Sequence, residues 1–243
     1  MSERSLSPTE RSGIIRDGIA VGVATGAYGL GFGAVSVTSG LSVAQTCVLS
    51  LLMFTGASQF ALVGVVAAGG TPLAGAASAL FLGTRNTLYG LRMAPLLQWH
   101  GWRRTAAAHV LIDESTAMAV NRPTSEGARL GFATTGVAVF VLWNLATVVG
   151  AIAGRAVGDP RTYGLDAAVG AAFLALLWPR LKDSRNILVA VLGAAVALTV
   201  VPVTAPGVPV LAAGGVAVLV GVLSTRPDPT ELPAPDDVAG GHR

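Results

Sequence analysis

The chain has 243 residues, 52% of them hydrophobic and 12% charged, with a mean hydropathy of +0.65 and a formal net charge of +3. Soluble domains carry about 25% charged residues, so this composition leaves too little polar sequence to cover a soluble surface and points to a membrane protein. The basic residues sit mostly at the ends of apolar blocks, as membrane topology requires, so the positive balance does not imply nucleic-acid binding.

Residues 1–13 form a polar N-terminal segment, expected to be cytoplasmic, and the start of the chain is too polar for a secretory signal. Apolar blocks then follow at about 14–37, 43–68, 73–98, 105–121, 128–152, 166–180, 186–202 and 207–224. Most have the length a helix needs to cross about 30 Å of hydrocarbon. The breaks between them carry Gly, Pro, Ser and charge, as in Gly69-Gly70-Thr71-Pro72 and Lys182–Arg185. The fourth block is short and polar and the sixth is short, so either can be interfacial or re-entrant. The expected fold is an all-α polytopic membrane protein with seven or eight transmembrane helices, its transporter domain spanning 14–224. Residues 225–243, with Pro227, Pro229, Pro233 and Pro235, are expected to be a disordered tail.

With eight crossings and the N-terminus inside, the inner segments hold Arg4, Arg11, Arg16, Arg122, Arg129, Arg180, Lys182, Arg185, Arg226 and Arg243. The outer segments hold Arg103, Arg104, Arg155 and Arg161. Lys and Arg concentrate on the cytoplasmic side of membrane proteins, so the N-terminus is expected to be cytoplasmic.

Several chemistries drop out. Cys47 has no intrachain partner and reads as a packed thiol. His100, His109 and His242 lack metal-ligand spacing, no Walker sequence is present, and no metal or cofactor is expected.

Three places can handle a polar solute. Gly29, Gly31 and Gly33 in the first block can bring backbone close to a ligand, with helix packing as the other reading. In the second block Thr55, Ser58 and Gln59 can share a helical face beside Gly56. Transporters bind substrates at such interrupted helices, so Thr55, Gly56, Ser58, Gln59 and Phe60 are candidate substrate contacts. Interhelical hydrogen bonding is the alternative.

The third place is a charged pair. If blocks three and four are antiparallel and turn near Trp99–Gly101, Arg85 and Asp113 each lie 14 residues from Trp99 (99 − 85 and 113 − 99) and so at similar depth. Charges at bilayer depth are costly and usually pair or line a water-filled path. Arg85, Tyr89 and Arg92 follow at one helical stripe, as do His109, Asp113 and Thr116. Arg85, Tyr89, Asp113 and Glu114 form the candidate charge network, with His109 as a further member. A carboxylate balanced between a poor dielectric and a nearby arginine can load and release a proton. A static ion pair, or an interfacial fourth block with both acids in water, are the other readings.

These same residues carry a family resemblance. The run Ser50–Phe60, the segment Thr84-Arg85-Asn86-Thr87-Leu88-Tyr89-Gly90 and Asp113-Glu114-Ser115 resemble signatures of AzlC-like branched-chain amino acid permeases. Gly164-Leu165-Asp166 with Ala172–Leu177 resembles that family's C-terminal-half signature and adds Asp166 to the candidates. Gly83 and Ile112 depart from the family's Asn and Thr. The resemblance implies an inner-membrane exporter of valine, leucine, isoleucine and in some cases methionine. It further implies coupling to the electrochemical gradient and a small hydrophobic AzlD-like partner subunit.

Gly56–Val63 can also be laid on Gly170–Leu177, an alignment that would make inverted repeats, though in an alanine-rich chain it is a weak match. A membrane-embedded enzyme using His109, Asp113 and Glu114 as acid and base, or a non-transporting scaffold or channel subunit, are the alternative functions.

Overall fold

The computed structural model describes residues 5–120, 122–156, 174, 177, 178 and 181–223. The described residues form helices joined by short turns, with no strand, and bear out an all-α membrane protein. The helices are α1 (Pro8–Gly26), α2 (Tyr28–Thr38), α3 (Val43–Leu52), α4 (Ala57–Ala67), α5 (Pro72–Gly83), α6 (Arg85–Leu97), α7 (Trp102–His109), α8 (Asp113–Val120), α9 (Ser125–Ala156), α10 (Ser184–Val200) and α11 (Val208–Leu223). Apart from residues 174, 177 and 178, the sixth block and the second half of the aligned repeat lie outside the described residues, as do Asp166 and the tail.

α1 starts at a capping box. The Ser7 hydroxyl accepts from the Glu10 N–H at 3.3 Å, the Glu10 carboxylate accepts from the Ser7 N–H at 2.9 Å, and Pro8 opens the helix. Ala27 between α1 and α2 keeps helical angles (φ −57, ψ −31), so the two form one kinked rod over Pro8–Thr38. α9, with 32 residues, extends about 48 Å at 1.5 Å per residue.

This rod and α9 run parallel along a seam of glycines. A Cβ on Gly22 would come within 2.6 Å of Ala138 Cβ, and one on Gly26 within 2.7 Å of Leu142 Cβ. Further along, Gly33 abuts the Thr147 carbonyl, while Gly150 and Gly154 of α9 abut Leu30 and Ala34. Without side chains at these positions the backbones approach closely, which is how helices gain van der Waals contact in lipid.

The second block does not cross. α3 descends α9, from Ser50 beside Thr147 (3.5 Å between hydroxyls) to Phe54 beside Phe140 (ring centroids 5.1 Å). The chain then reverses, and Gln59 Nε2 on α4 reaches the Ser50 carbonyl at 3.4 Å. Phe60 returns to the level of Phe32 and Trp143. A single helix would hold residues 50 and 59 about 13 Å apart at 1.5 Å per residue. α3 and α4 are therefore the two arms of a re-entrant hairpin whose tip is Met53–Gly56.

The third block does cross. α4 and α5 pack antiparallel through Gly75 against Leu62, and Thr84 keeps helical angles between α5 and α6. α6 ends where Arg129 Nε of α9 donates to the Leu97 carbonyl at 2.8 Å.

The fourth block reverses in its turn. Trp99 stacks edge-on against Phe132 and His109 against Phe140, so α7 climbs α9. α8 returns, with Val110 against Gly136 and the Met118 carbonyl against Gly131. α7–α8 is a second re-entrant hairpin, entering from the opposite face to the first, with its tip at Val110–Ile112.

Equal apolar length concealed the difference between blocks two and three, because hydropathy reports burial and not direction. Block two, expected to cross, is thus corrected to a re-entrant hairpin, while block four takes the re-entrant course that its short, polar sequence had left open. A rod followed by a hairpin thus occurs twice, as α1–α4 and then, inverted, as α5–α8. α11 continues beside α5, with Gly214 against the Phe81 ring, and α10 pairs with it where Arg185 donates to the Gly221 carbonyl at 3.4 Å.

Candidate functional site

The two hairpin tips meet in the middle of the bundle. At the first, Met53 caps α3, the Thr55 N–H bonds the Met53 carbonyl at 2.9 Å, and Gly56 takes φ +51, a value that suits a residue without Cβ. At the second, the Ser115 hydroxyl accepts from the Ile112 N–H at 3.0 Å and donates to the Val110 carbonyl at 2.8 Å. That knot sets Asp113 and Glu114 in the first turn of α8, where the helix dipole favours negative charge.

Arg85 joins the tips. It stands at the start of α6, just past the Thr84 break, and its Nη1 lies 3.5 Å from Asp113 Oδ2. Its Nη2 donates to the Thr55 carbonyl at 3.4 Å. One guanidinium thus holds both tips, which its fork of five donors permits. The side chains of Arg85 and Asp113 keep 33% and 21% of their exposure, so the pair is half-buried beside the cavity. The two residues lie at one depth, as the count to Trp99 requires.

A cavity of about 340 Å³ lies between the tips. Its polar wall is Thr55, Arg85, Asp113 and Glu114, and its apolar wall includes Phe54, Ile112, Val139 and Trp143. Among the described residues that line it, Thr55 Oγ1, Arg85 Nε and Trp143 Nε1 are buried with no hydrogen-bond partner. Buried polar groups are nearly always satisfied, so such a concentration is unusual and calls for an explanation such as a ligand.

The sequence-derived candidates divide around this cavity. Thr55, Gly56, Arg85, Asp113 and Glu114 line it. Ser58, Gln59 and Phe60 do not. The helix break puts them behind the tip, where Gln59 is wholly buried and ties the hairpin arms together. Tyr89 packs against the cluster around Met93 and Phe132, and His109 packs its ring against Phe54 and Phe140. The stripe of His109, Asp113 and Thr116 does not exist, because the second tip interrupts the helix there. Gly33 is a seam residue, and Gly31 faces open space, where a Cβ would meet nothing within 4 Å. Thr25, Tyr28, Val139 and Trp143 line the cavity and were missed. Trp143-Asn144 in the middle of an apolar block was the available signal for the last.

The comparisons with known proteins agree on a family. The family described as AzlC protein matches residues 20–157, which cover both hairpins, Arg85 and α9. An uncharacterized membrane protein of Archaeoglobus fulgidus is 34% identical over 169 residues, covering 69% of this chain and 74% of that protein. No solved structure matches the chain.

Proposed function

From the premise that this chain belongs to the AzlC family, we propose that it is a secondary transporter exporting valine, leucine, isoleucine and methionine across the cytoplasmic membrane. A membrane-transport role is the coarse reading that family membership supports. The observation that carries the finer one is a single small cavity holding one cation, two carboxylates and an apolar wall. A zwitterion with an apolar side chain needs that combination. Its carboxylate is placed on Arg85, its ammonium on Asp113 or Glu114, and its side chain against Phe54, Ile112, Val139 and Trp143.

Substrate binding and tip closure compete for the same groups. Arg85 bonds Thr55 and Asp113 in the structure, and a bound carboxylate draws on those donors. Loosening one tip at a time gives access to one face at a time. In this reading Asp113, the acid that Arg85 holds, carries the coupling of export to the proton gradient. A small AzlD-like membrane subunit completes the working unit.

The corrected topology supports a cytoplasmic N-terminus. Among the described residues Arg11, Arg16, Arg103, Arg104, Arg122, Arg129, Lys182 and Arg185 gather at the N-terminal face, and Arg155 stands at the opposite face. Turning α7–α8 into a hairpin moved Arg103 and Arg104 to the basic side, sharpening the asymmetry.

The test is counterflow of labelled valine, leucine and isoleucine in proteoliposomes, with and without the small subunit and with an imposed pH gradient. Accumulation above equilibrium is expected. Its absence in both preparations would reject export, and turnover of a lipid-soluble substrate would favour an enzyme.

A further inference from the structure

A second cavity, of about 600 Å³, lies between α6 and α7 and extends to the turn Gln98–His100 at the N-terminal face. It touches the first only through two pairs of adjacent residues. Arg85 and Ile112 line the first cavity, while Asn86 and Leu111 line the second. Asn86 Nδ2 donates to the Leu111 carbonyl at 3.2 Å, so one hydrogen bond from α6 to the second tip closes the boundary.

We propose that the second cavity is a vestibule that binds an apolar amino acid from the N-terminal face, and that the Asn86–Leu111 hydrogen bond is the gate between it and the site at the tips. This rests on the export reading above. The ligand chemistry follows from the lining. Asn86 Oδ1 is buried with no partner among the described residues. An amide oxygen is an acceptor with two lone pairs, which matches the three donors of an ammonium group. Met93, Leu97, Leu111 and Phe132 supply an apolar floor for the side chain, and Arg104 gives the same cavity positive charge that favours a carboxylate on entry. The volume falls within the roughly 300–1,000 Å³ of small-molecule pockets.

The gate and the ligand act on one residue. Asn86 holds the tip with its NH₂ and offers its oxygen to the ligand. An ammonium group that turns the amide weakens the bond to Leu111 and frees the second tip, so occupancy of the vestibule opens the way to Arg85.

The experiment uses the full chain in membrane vesicles with Cys47 replaced by Ala. Ala108→Cys places a thiol on the vestibule wall, and Ala57→Cys places one in the first cavity. Modification by a membrane-impermeant methanethiosulfonate reagent is followed from each face. Leucine is expected to slow modification at position 108 at least fivefold and glycine to leave it unchanged. The protection should survive Arg85→Gln, which disables the tip site, and vanish with Asn86→Ala. Asn86→Ala should also speed modification at position 57 from the N-terminal face about tenfold. Should Asn86→Ala not fold, Ala94→Cys is a second vestibule reporter, and leucine protection there in the Arg85→Gln background decides the matter. Leucine counterflow without protection overturns the vestibule and leaves export standing. Loss of both counterflow and protection overturns the two together. Protection abolished by Arg85→Gln shows that leucine acts from the tip site and overturns the separate vestibule.

Discussion

The glycine seam and the hairpin tips lie within the same bundle and are built on opposite terms. Along the seam α1–α2 meets α9 backbone to backbone, and atoms such as the Leu30 and Thr147 carbonyls leave no room for a Cβ. At the tips the chain leaves helical geometry, polar atoms lack partners, and one arginine spans the gap. Close-packed interfaces have one arrangement and resist change, whereas a site held by few exchangeable polar contacts can take two. The seam is thus the frame, and in the proposed export cycle the tips are the part that moves against it.

The largest effect expected from disturbing this division is on the frame. A Cβ at Gly150 would enter the space of the Leu30 carbonyl, and backbone cannot rotate away as a side chain can. Overpacking costs typically 1–3 kcal/mol and more where nothing yields, so Gly150→Ala should lose about 3 kcal/mol or more. Thermal unfolding of purified protein and its monodisperse yield would show it. A normal yield would mean that the seam slides, and the frame would have to be placed elsewhere.

Arg85→Gln should do the reverse, sparing the fold and stopping the function. The substituted amide keeps some hydrogen bonding to Thr55 but no charge for Asp113 or for a carboxylate. Leucine counterflow should fall about 100-fold, or about 2.8 kcal/mol at 1.4 kcal/mol per decade. Pairing Arg85→Gln with Asp113→Asn in a double-mutant cycle should give clear non-additivity, since the groups are 3.5 Å apart. Additive losses would show that Arg85 acts on the substrate alone and does not join the tips.

How much of this was legible in the sequence differs between the two regions. The similar depth of Arg85 and Asp113 followed from counting residues to Trp99, because α6 and the α7–α8 hairpin both leave that turn in the same direction whether or not block four crosses. The first hairpin was not legible as such, and the second only as one reading of a short, polar block. A block of apolar residues with a break in the middle serves equally for a crossing or for two returning arms, and only contacts such as Gln59 with Ser50 separate them. The break at Gly56 was visible, yet its consequence was not. It detached Thr55 from Ser58 and Gln59, leaving the first on the cavity and the other two behind it. The glycines of the first block gave a correct hint of close packing but no indication that α9, four blocks away, was the partner.

Gln59 therefore becomes a test of how the moving part is anchored. It is wholly buried, its Nε2 bonds the Ser50 carbonyl, and it lines no described cavity. As a positioning residue, it should affect transport through the tip it supports. Gln59→Leu is expected to lower leucine counterflow about tenfold, near 1.4 kcal/mol, and Gln59→Glu, which puts a carboxylate oxygen where the NH₂ donates to the Ser50 carbonyl, should recover none of it. A complete loss with unchanged folding, equal to that of Arg85→Gln, would instead make Gln59 a direct substrate contact.

The smallest effect is expected at Gly31, and it separates what covers the rod from what it is packed on. Gly29 and Gly33 both press on α9, but Gly31 lies between them on the other side of α2, with nothing within 4 Å of a Cβ. Alanine there meets no described atom and gains helix propensity of up to about 1 kcal/mol. In the isolated chain Gly31→Ala should therefore leave stability within about 0.5 kcal/mol or raise it slightly. The same substitution measured with the small membrane subunit present carries the information. If that face of α2 meets only lipid, the two measurements agree, because acyl chains make room for a methyl group. If the subunit seats its own helix there, the methyl group enters a second glycine contact, and co-purification should fall while the isolated chain stays intact. Gly31 would then belong to a seam after all, one that closes only in the assembled complex.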